Sequence, residues 1–341
     1  MKIAVVLFNL GGPDSPEAVQ PFLRNLFGDR AIIDLPAWLR LPLAQFLASR
    51  RAVKARRIYD QIGGASPILG QTEAQAAALD QALSGDEHQW RAFVCMRYWH
   101  PLTADVVQQV RTFAPARIVL LPLYPQFSTT TTASSVGAWK EEAARLKATT
   151  TLVCCYPQEA GFIAASVDLV QQELAALGSA KARVLFSAHG LPQKVIASGD
   201  PYQWQVECTA QAIAAAARLS DWTVCYQSRV GPLKWIGPST HDEIERAGRE
   251  KMPVVIYPLA FVSEHSETLV ELDRDYRALA EASGVPVYRR APTVGTHPAF
   301  ISGLAKAAHA AAFGGRSICT AGTHDICSAE HVRCPRRMAS L

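Results

Sequence analysis

Several absences narrow this sequence first. No apolar stretch approaches the roughly 18 residues that a membrane-spanning helix needs. Neither sign of charge dominates, since 34 basic residues stand against 30 acidic ones for a net charge of +4. There is no long basic run either, so no nucleic-acid partner is expected. The GxGxxG and GxxxxGK(S/T) spacings are missing, which argues against a nucleotide site; "GGASPI" (63–68) reads as a turn rather than a phosphate cradle. The opening MKIAVVLFNLGGPDS has an apolar run but no small-residue cleavage site after it. It therefore reads as a strand entering a Gly-Gly-Pro turn, not as a secretion signal. The default compartment is the cytoplasm, where cysteines seldom form disulfides.

What is present suits a large α/β core. The chain has 341 residues, 49% of them hydrophobic and 19% charged, enough for two domains at roughly 150 residues each. Short apolar runs predict strands at 3–8, 91–97, 117–123, 152–156, 183–187, 223–227, 254–259 and 285–289. Helical periodicity lies between them, at 72–83, 103–113, 161–177, 204–219 and 267–283. Apolar strands alternating with helices predict parallel sheets. The pattern is stated twice: "LFNLGGP" (7–13) matches "LFSAHGLP" (185–192), and "IVLLPLYPQFS" (118–128) matches "VVIYPLAFVSE" (254–264). The expected fold is two similar Rossmann-like lobes, each a four-stranded parallel sheet flanked by helices, with an active-site cleft between them. The expected boundaries are 1–150, 151–315 and a Cys-rich extension at 316–341.

The first half carries extra material over 32–57. Trp38, Leu39, Leu41, Leu43, Phe46 and Leu47 are followed by Arg50, Arg51, Lys54, Arg56 and Arg57. Two readings stand: an amphipathic helix pair packed on the lobe, or an apolar lip with a basic margin that touches a membrane interface or an apolar, carboxylate-bearing ligand.

Two places could carry chemistry. His189 stands where a buried strand stops, and its counterpart in the first half is Gly11, so the turn does not require an imidazole. It is either a structural histidine or a proton acceptor and metal contact. In "FVSEHSETLVELDRDY" (261–276), Glu264, Glu267, Glu271 and Asp275 recur at helical spacing and are expected on one face. Such a ladder is either a solvated face or a path for protons or a cation. Polar groups at 97–100, 126–135 and 227–232 lie at the same level, and each could instead cap a loop. The tail adds Cys319, Cys327 and Cys334, which need one more ligand to complete a cluster or a zinc site. The alternative is free thiols.

Taken together, "LFNLGGPDSPEAVQPFLRNLF", "IGGASPI", "MRYWHPLT", "YPQFSTTTTASS", "FSAHGLP", "GDPYQWQV", "YQSRVGPLKWIGPST" and "FVSEHSETLVELD" resemble ferrochelatases, in order, across about 310 residues. The resemblance implies insertion of ferrous iron, as substrate, into protoporphyrin IX in haem synthesis. It implies His189 and Glu267 as catalytic groups that also meet the metal, with Glu264 an acidic position of the same motif. It implies substrate contacts at Leu10, Arg51, Lys54, Ser66, Arg97, Tyr98 and Phe261. It implies use of the 32–57 lip at the cytoplasmic membrane surface, and it leaves room for a homodimer. Some members hold a [2Fe–2S] cluster in such a tail. Here Cys319, Cys327 and Cys334 fit that part, and Cys155 or Cys154 is the expected fourth ligand, because Thr129 stands where other members have a cysteine. Two alternatives remain: a coproporphyrin III ferrochelatase, and a non-catalytic porphyrin or haem sensor.

Overall fold

The computed structural model describes residues 1–85, 87–178, 181–229, 231–321 and 327–337. Residues 322–326 and 338–341 of the expected extension, and Val230 of the 227–232 loop, lie outside the described residues. The chain divides into two compact units. One holds residues 1–124, 128–154 and 308–319; the other holds 125–127, 155–307 and 320–341.

All eight expected strands form, the last shortened to three residues; the central ones are largely apolar because they are buried on both faces of a parallel sheet, while β2 and β8 are partly exposed. In the first unit they are β1 (Lys2–Asn9), β2 (Gln89–Met96), β3 (Arg117–Pro122) and β4 (Thr149–Cys155). In the second they are β5 (Arg183–His189), β6 (Trp222–Gln227), β7 (Val254–Pro258) and β8 (Tyr288–Arg290). β1 lies between β2 and β3, paired in parallel with both, and β3 pairs with β4. β5 likewise pairs in parallel with β6 and β7, and β7 with β8. The strand order is β2-β1-β3-β4 in one sheet and β6-β5-β7-β8 in the other. The repeat seen in the sequence is thus a repeat of topology. The first sheet is larger than expected: a short β9 (Ile318–Thr320) from the tail joins it beside β4, its lead-in fixed by the Leu152 N–H donating to the Ser317 carbonyl at 2.9 Å.

Both central strands are the cores of their sheets. Ile3 to Phe8 of β1 and Val184 to Ala188 of β5 are at most 1% exposed. Chemistry can therefore appear only where these strands end. At the carboxyl end of β5 the chain must also pass close to β6. Gly190 allows this: a Cβ there would sit 2.8 Å from the Gln227 carbonyl oxygen. In the first unit, a Cβ on Gly12 would meet Ser66 at 2.5 Å, which is how the "GGP" and "GGASPI" turns pack together.

Candidate functional site

His189 is the last residue of β5, and its Nδ1 lies 2.8 Å from Glu267 Oε2. Glu267 opens a π-helical segment, Glu267–Asp275, that runs on into the α-helix Tyr276–Ser283. Such i→i+5 turns are rare and recur at functional sites. With Nδ1 committed to Glu267, Nε2 is the nitrogen left for a ligand, and 39% of the side chain remains exposed to receive one.

Ser228, in the loop after β6, joins this pair to a second carboxylate. Its Oγ lies 3.1 Å from Glu267 Oε2 and 2.5 Å from Glu271 Oε2, and its N–H donates to Glu271 Oε1 at 2.9 Å. The backbone holds φ +58° at Ser228, a left-handed conformation costing a non-glycine residue about 1–2 kcal/mol. Both donors are aimed at carboxylates as a result. Gln227 Nε2 donates to Glu271 Oε2 at 3.1 Å, and the Tyr276 hydroxyl donates to Glu271 Oε1 at 3.1 Å. The Tyr202 hydroxyl holds the His189 carbonyl at 3.0 Å.

These contacts push the titrating groups apart. Burial alone would raise the Glu267 carboxyl, but the His189 imidazole beside it, joined by His265 and the Ser228 hydroxyl, lowers it to about 2. Burial alone would lower His189, but Glu267 outweighs it and raises the imidazole above 6.5. Burial, reinforced by Glu267, raises the Glu271 carboxyl. The two neighbouring carboxyls are thereby set apart, Glu267 the more acidic and Glu271 the more basic of the pair.

The expected four-carboxylate ladder is shorter in the folded chain. Glu264 precedes the helical segment and is taken by β8: Arg290 reaches it at 2.6 Å, and the Thr293 N–H donates to it at 2.9 Å. Asp275 is exposed at the far end of the segment. His265 is buried, with its ring 4.6 Å from the half-buried Phe261.

In the first unit, Arg97 and Tyr98 converge on a residue that the sequence reading missed. Asp29 Oδ2 accepts from Arg97 at 2.9 Å, from the Tyr98 hydroxyl at 2.8 Å and from the Ser134 hydroxyl. Burial would raise the Asp29 carboxyl, but bonds from Ser134, Ala31 and Arg97 bring it below its ordinary value. Tyr98 is 1% exposed, packed in a core cluster with Phe22, Phe27 and Tyr59, so against expectation its ring is a support of the first unit and not a surface that meets a ligand. Asp29→Ala removes the acceptor of three donors and strands a guanidinium that is only 23% exposed. Urea unfolding is expected to show a loss near the lower end of the about 3–5 kcal/mol typical of a broken buried pair. Leu10 packs into the same cluster, and the Ser66 N–H donates to the Pro13 carbonyl at 2.7 Å.

The 32–57 stretch forms one long helix, Ala37–Asp60, where a helix pair was one expectation. Its inward side is small, with Ala44, Ala48 and Ala52 buried. Its outward residues are large and apolar, and Trp38 is 73%, Leu41 56%, Phe46 56% and Val53 57% exposed. Arg51 and Lys54 are exposed on the same helix, Arg51 over the Phe27 ring at 5.3 Å. No helix among the described residues is long and apolar enough to cross a membrane.

The cysteines differ in their surroundings. Burial pushes the Cys95 and Cys225 thiols up to about 12, which makes them inert packing groups. Cys327 moves the opposite way: hydrogen bonds with Cys155, and then Cys334, bring its thiol down to about 3. Gln205 Nε2 lies 3.1 Å from Cys327 Sγ and 3.5 Å from Cys155 Sγ. Cys319 stands on β9, with its Sγ 3.5 Å from the Leu152 carbonyl oxygen of β4, the strand that ends in Cys155.

Comparison with known proteins is consistent across the chain. The ferrochelatase family model matches residues 2–312. A ferrochelatase of Caulobacter vibrioides (strain NA1000 / CB15N) is 54% identical over 342 residues, 98% of each chain. One from Phenylobacterium zucineum is 52% identical over 341 residues, 99% of this chain and 98% of that protein. Among solved structures, SirB from Bacillus subtilis with Fe3+ superposes with a TM-score of 0.57 at 14% identity, covering 92% of this chain and 97% of that one. That likeness shows the shared fold.

Proposed function

Since this chain belongs to the ferrochelatase family, we propose that it inserts ferrous iron into protoporphyrin IX with His189 and Glu267 at the reacting centre. The observation that carries the assignment is the 2.8 Å His189–Glu267 pair, which leaves Nε2 unengaged at the end of β5. A free-base porphyrin must lose two pyrrole protons as a dication enters. Nε2 is the acceptor for such a proton. Glu267, already ionised, fixes the tautomer and stabilises the imidazolium as it forms. The hydroxyl proton of Ser228 can serve only one carboxylate at a time. With Glu271 protonated on Oε2, Glu271 donates to Ser228 and Ser228 donates to Glu267. A proton that has passed from the imidazolium to Glu267 leaves along this line once Glu271 has released its own: Glu267 then donates to Ser228 Oγ and Ser228 donates to the ionised Glu271, while the metal meets His189 and Glu267 as substrate.

The remaining assignments follow the same reading. Phe261 in the second unit, and Leu10, Ser66 and Arg97 in the first, are assigned to the macrocycle, while the buried Tyr98 supports Arg97 through the shared Asp29 carboxylate. Glu264, held by Arg290, serves as an acidic support of the motif and not as a member of the proton line. The exposed apolar face of Ala37–Asp60 supports contact with the cytoplasmic membrane surface and favours the vinyl-bearing substrate, with Arg51 and Lys54 as cations for propionates. Coproporphyrin III is the competing substrate. Anaerobic iron insertion, followed by porphyrin absorbance, tests both. Rapid loss of the free-base bands is expected with protoporphyrin IX, and faster loss with coproporphyrin III would overturn the choice. Tight binding without insertion of either would return the sensor reading.

A [2Fe–2S] cluster needs thiolates. What supports this reading is the donor chemistry: Cys327 hydrogen-bonds with Cys155 and Cys334, which lowers its thiol pKa, and Cys319 lies on the strand beside the one ending in Cys155. These four residues would hold the cluster, which supplies an electron-accepting, stabilising centre apart from the chelation chemistry. Cys155 is preferred to Cys154 because its sulfur is the one that shares Gln205 with Cys327.

A further inference from the structure

Gln205 sits fully buried on the helix Tyr202–Ala217. Both ends of its amide are used. Its Oε1 accepts the Phe127 N–H at 2.7 Å. Since a backbone N–H can bond only to the oxygen end, the amide orientation is settled, and the NH2 must face the sulfurs. There Nε2 reaches Cys327 Sγ at 3.1 Å and Cys155 Sγ at 3.5 Å, sulfurs brought together from the tail and from the end of β4. A buried amide NH2 is costly to leave unpaired, so these sulfurs are its structural partners. The helix is tied to both neighbouring segments one turn further on, where Thr209 takes a hydrogen bond from Gln126 at 3.0 Å and donates to the Pro157 carbonyl at 2.8 Å.

We infer that Gln205 is a positioning residue for the cluster, donating N–H···S hydrogen bonds to two of its thiolates and raising its reduction potential. The inference rests on the cluster reading above. Hydrogen bonds to ligand sulfur withdraw negative charge and favour the reduced state. Gln205 also ties the cluster to the Pro125–Phe127 segment through the Phe127 N–H.

Two substitutions in the full-length protein, purified anaerobically, test it. Gln205→Glu keeps the acceptor for Phe127 and removes the donor; Gln205→Leu removes both. The readouts are iron and sulfide per chain, the visible spectrum, the EPR signal after dithionite reduction, and the midpoint potential. The expected result is a cluster retained in Gln205→Glu, with a more negative midpoint and shifted g-values, and a shift of the same sign in Gln205→Leu. An unchanged midpoint and EPR signal in folded, cluster-bearing Gln205→Glu overturns the role of Gln205 alone. A colourless, iron-free wild type overturns the cluster reading itself and this inference with it. Should Gln205→Leu fail to fold, Gln205→Glu decides.

Discussion

Replacing His189 by Ala is expected to lower the rate of anaerobic iron insertion by about 10²–10⁴-fold, the range supplied by a positioned proton acceptor, while porphyrin binding is largely kept. Binding should survive because His189 shares its surroundings with residues that hold one another. Ser228, Gln227 and Tyr276 bond to Glu271 independently of the imidazole. The backbone of residue 189 is likewise held through its carbonyl by Tyr202. Turnover and porphyrin fluorescence quenching, measured side by side, separate the two effects. Near-normal turnover in His189→Ala would remove the imidazole from the mechanism, and loss of binding in step with turnover would make it a ligand anchor instead.

Glu267→Gln is expected to slow insertion and to move the acid limb of kcat/KM to lower pH. The acid limb reports the base that must be neutral in the free enzyme. His189 is raised because Glu267 outweighs the opposing effect of burial. With that charge removed, only the smaller raising effect of Glu271 opposes burial, and the limb falls. A limb that stays in place would show that another group takes the proton. Stability follows the same linkage. The raised His189 contributes stability that is complete below its unfolded value near 6.5 and is lost as pH rises through its folded value. The lowered Glu267 contributes stability that is complete above its unfolded value near 4.3 and is lost only as pH falls towards about 2. The two overlap between pH of about 4.3 and 6.5. Thermal melts of wild type and Glu267→Gln should differ most in that window and converge at higher pH. A gap that widens above pH 7 would contradict the pairing.

The helix from Ala37 to Asp60 shows how a sequence pattern can be correct in content and still leave the outcome open. Its apolar residues suggested a packed amphipathic element as readily as a lip. Only folding showed that the alanines take the buried side and leave Trp38 and Phe46 outward. Glu264 shows the opposite case. Local spacing groups it with Glu267 and Glu271, because periodicity sees only neighbours along the chain. Arg290, arriving on a strand 26 residues later, takes it away from them. Asp29 carried no local signal, since an acidic residue after a helix is ordinary until Arg97, Tyr98 and Ser134 close on it.

The sequence by itself determined the parallel α/β lobes and their repetition, because a strand buried on both faces must be apolar along its whole length and a crossover must be helical. It also determined that an imidazole stands where such a strand ends. The tertiary structure decided which groups that imidazole meets: the carboxylate of Glu267, the strained Ser228 between two carboxylates, and the glutamine that gathers sulfurs from the tail and from β4. These contacts depend on distances of a few ångströms between residues dozens to more than a hundred positions apart, which no local pattern encodes.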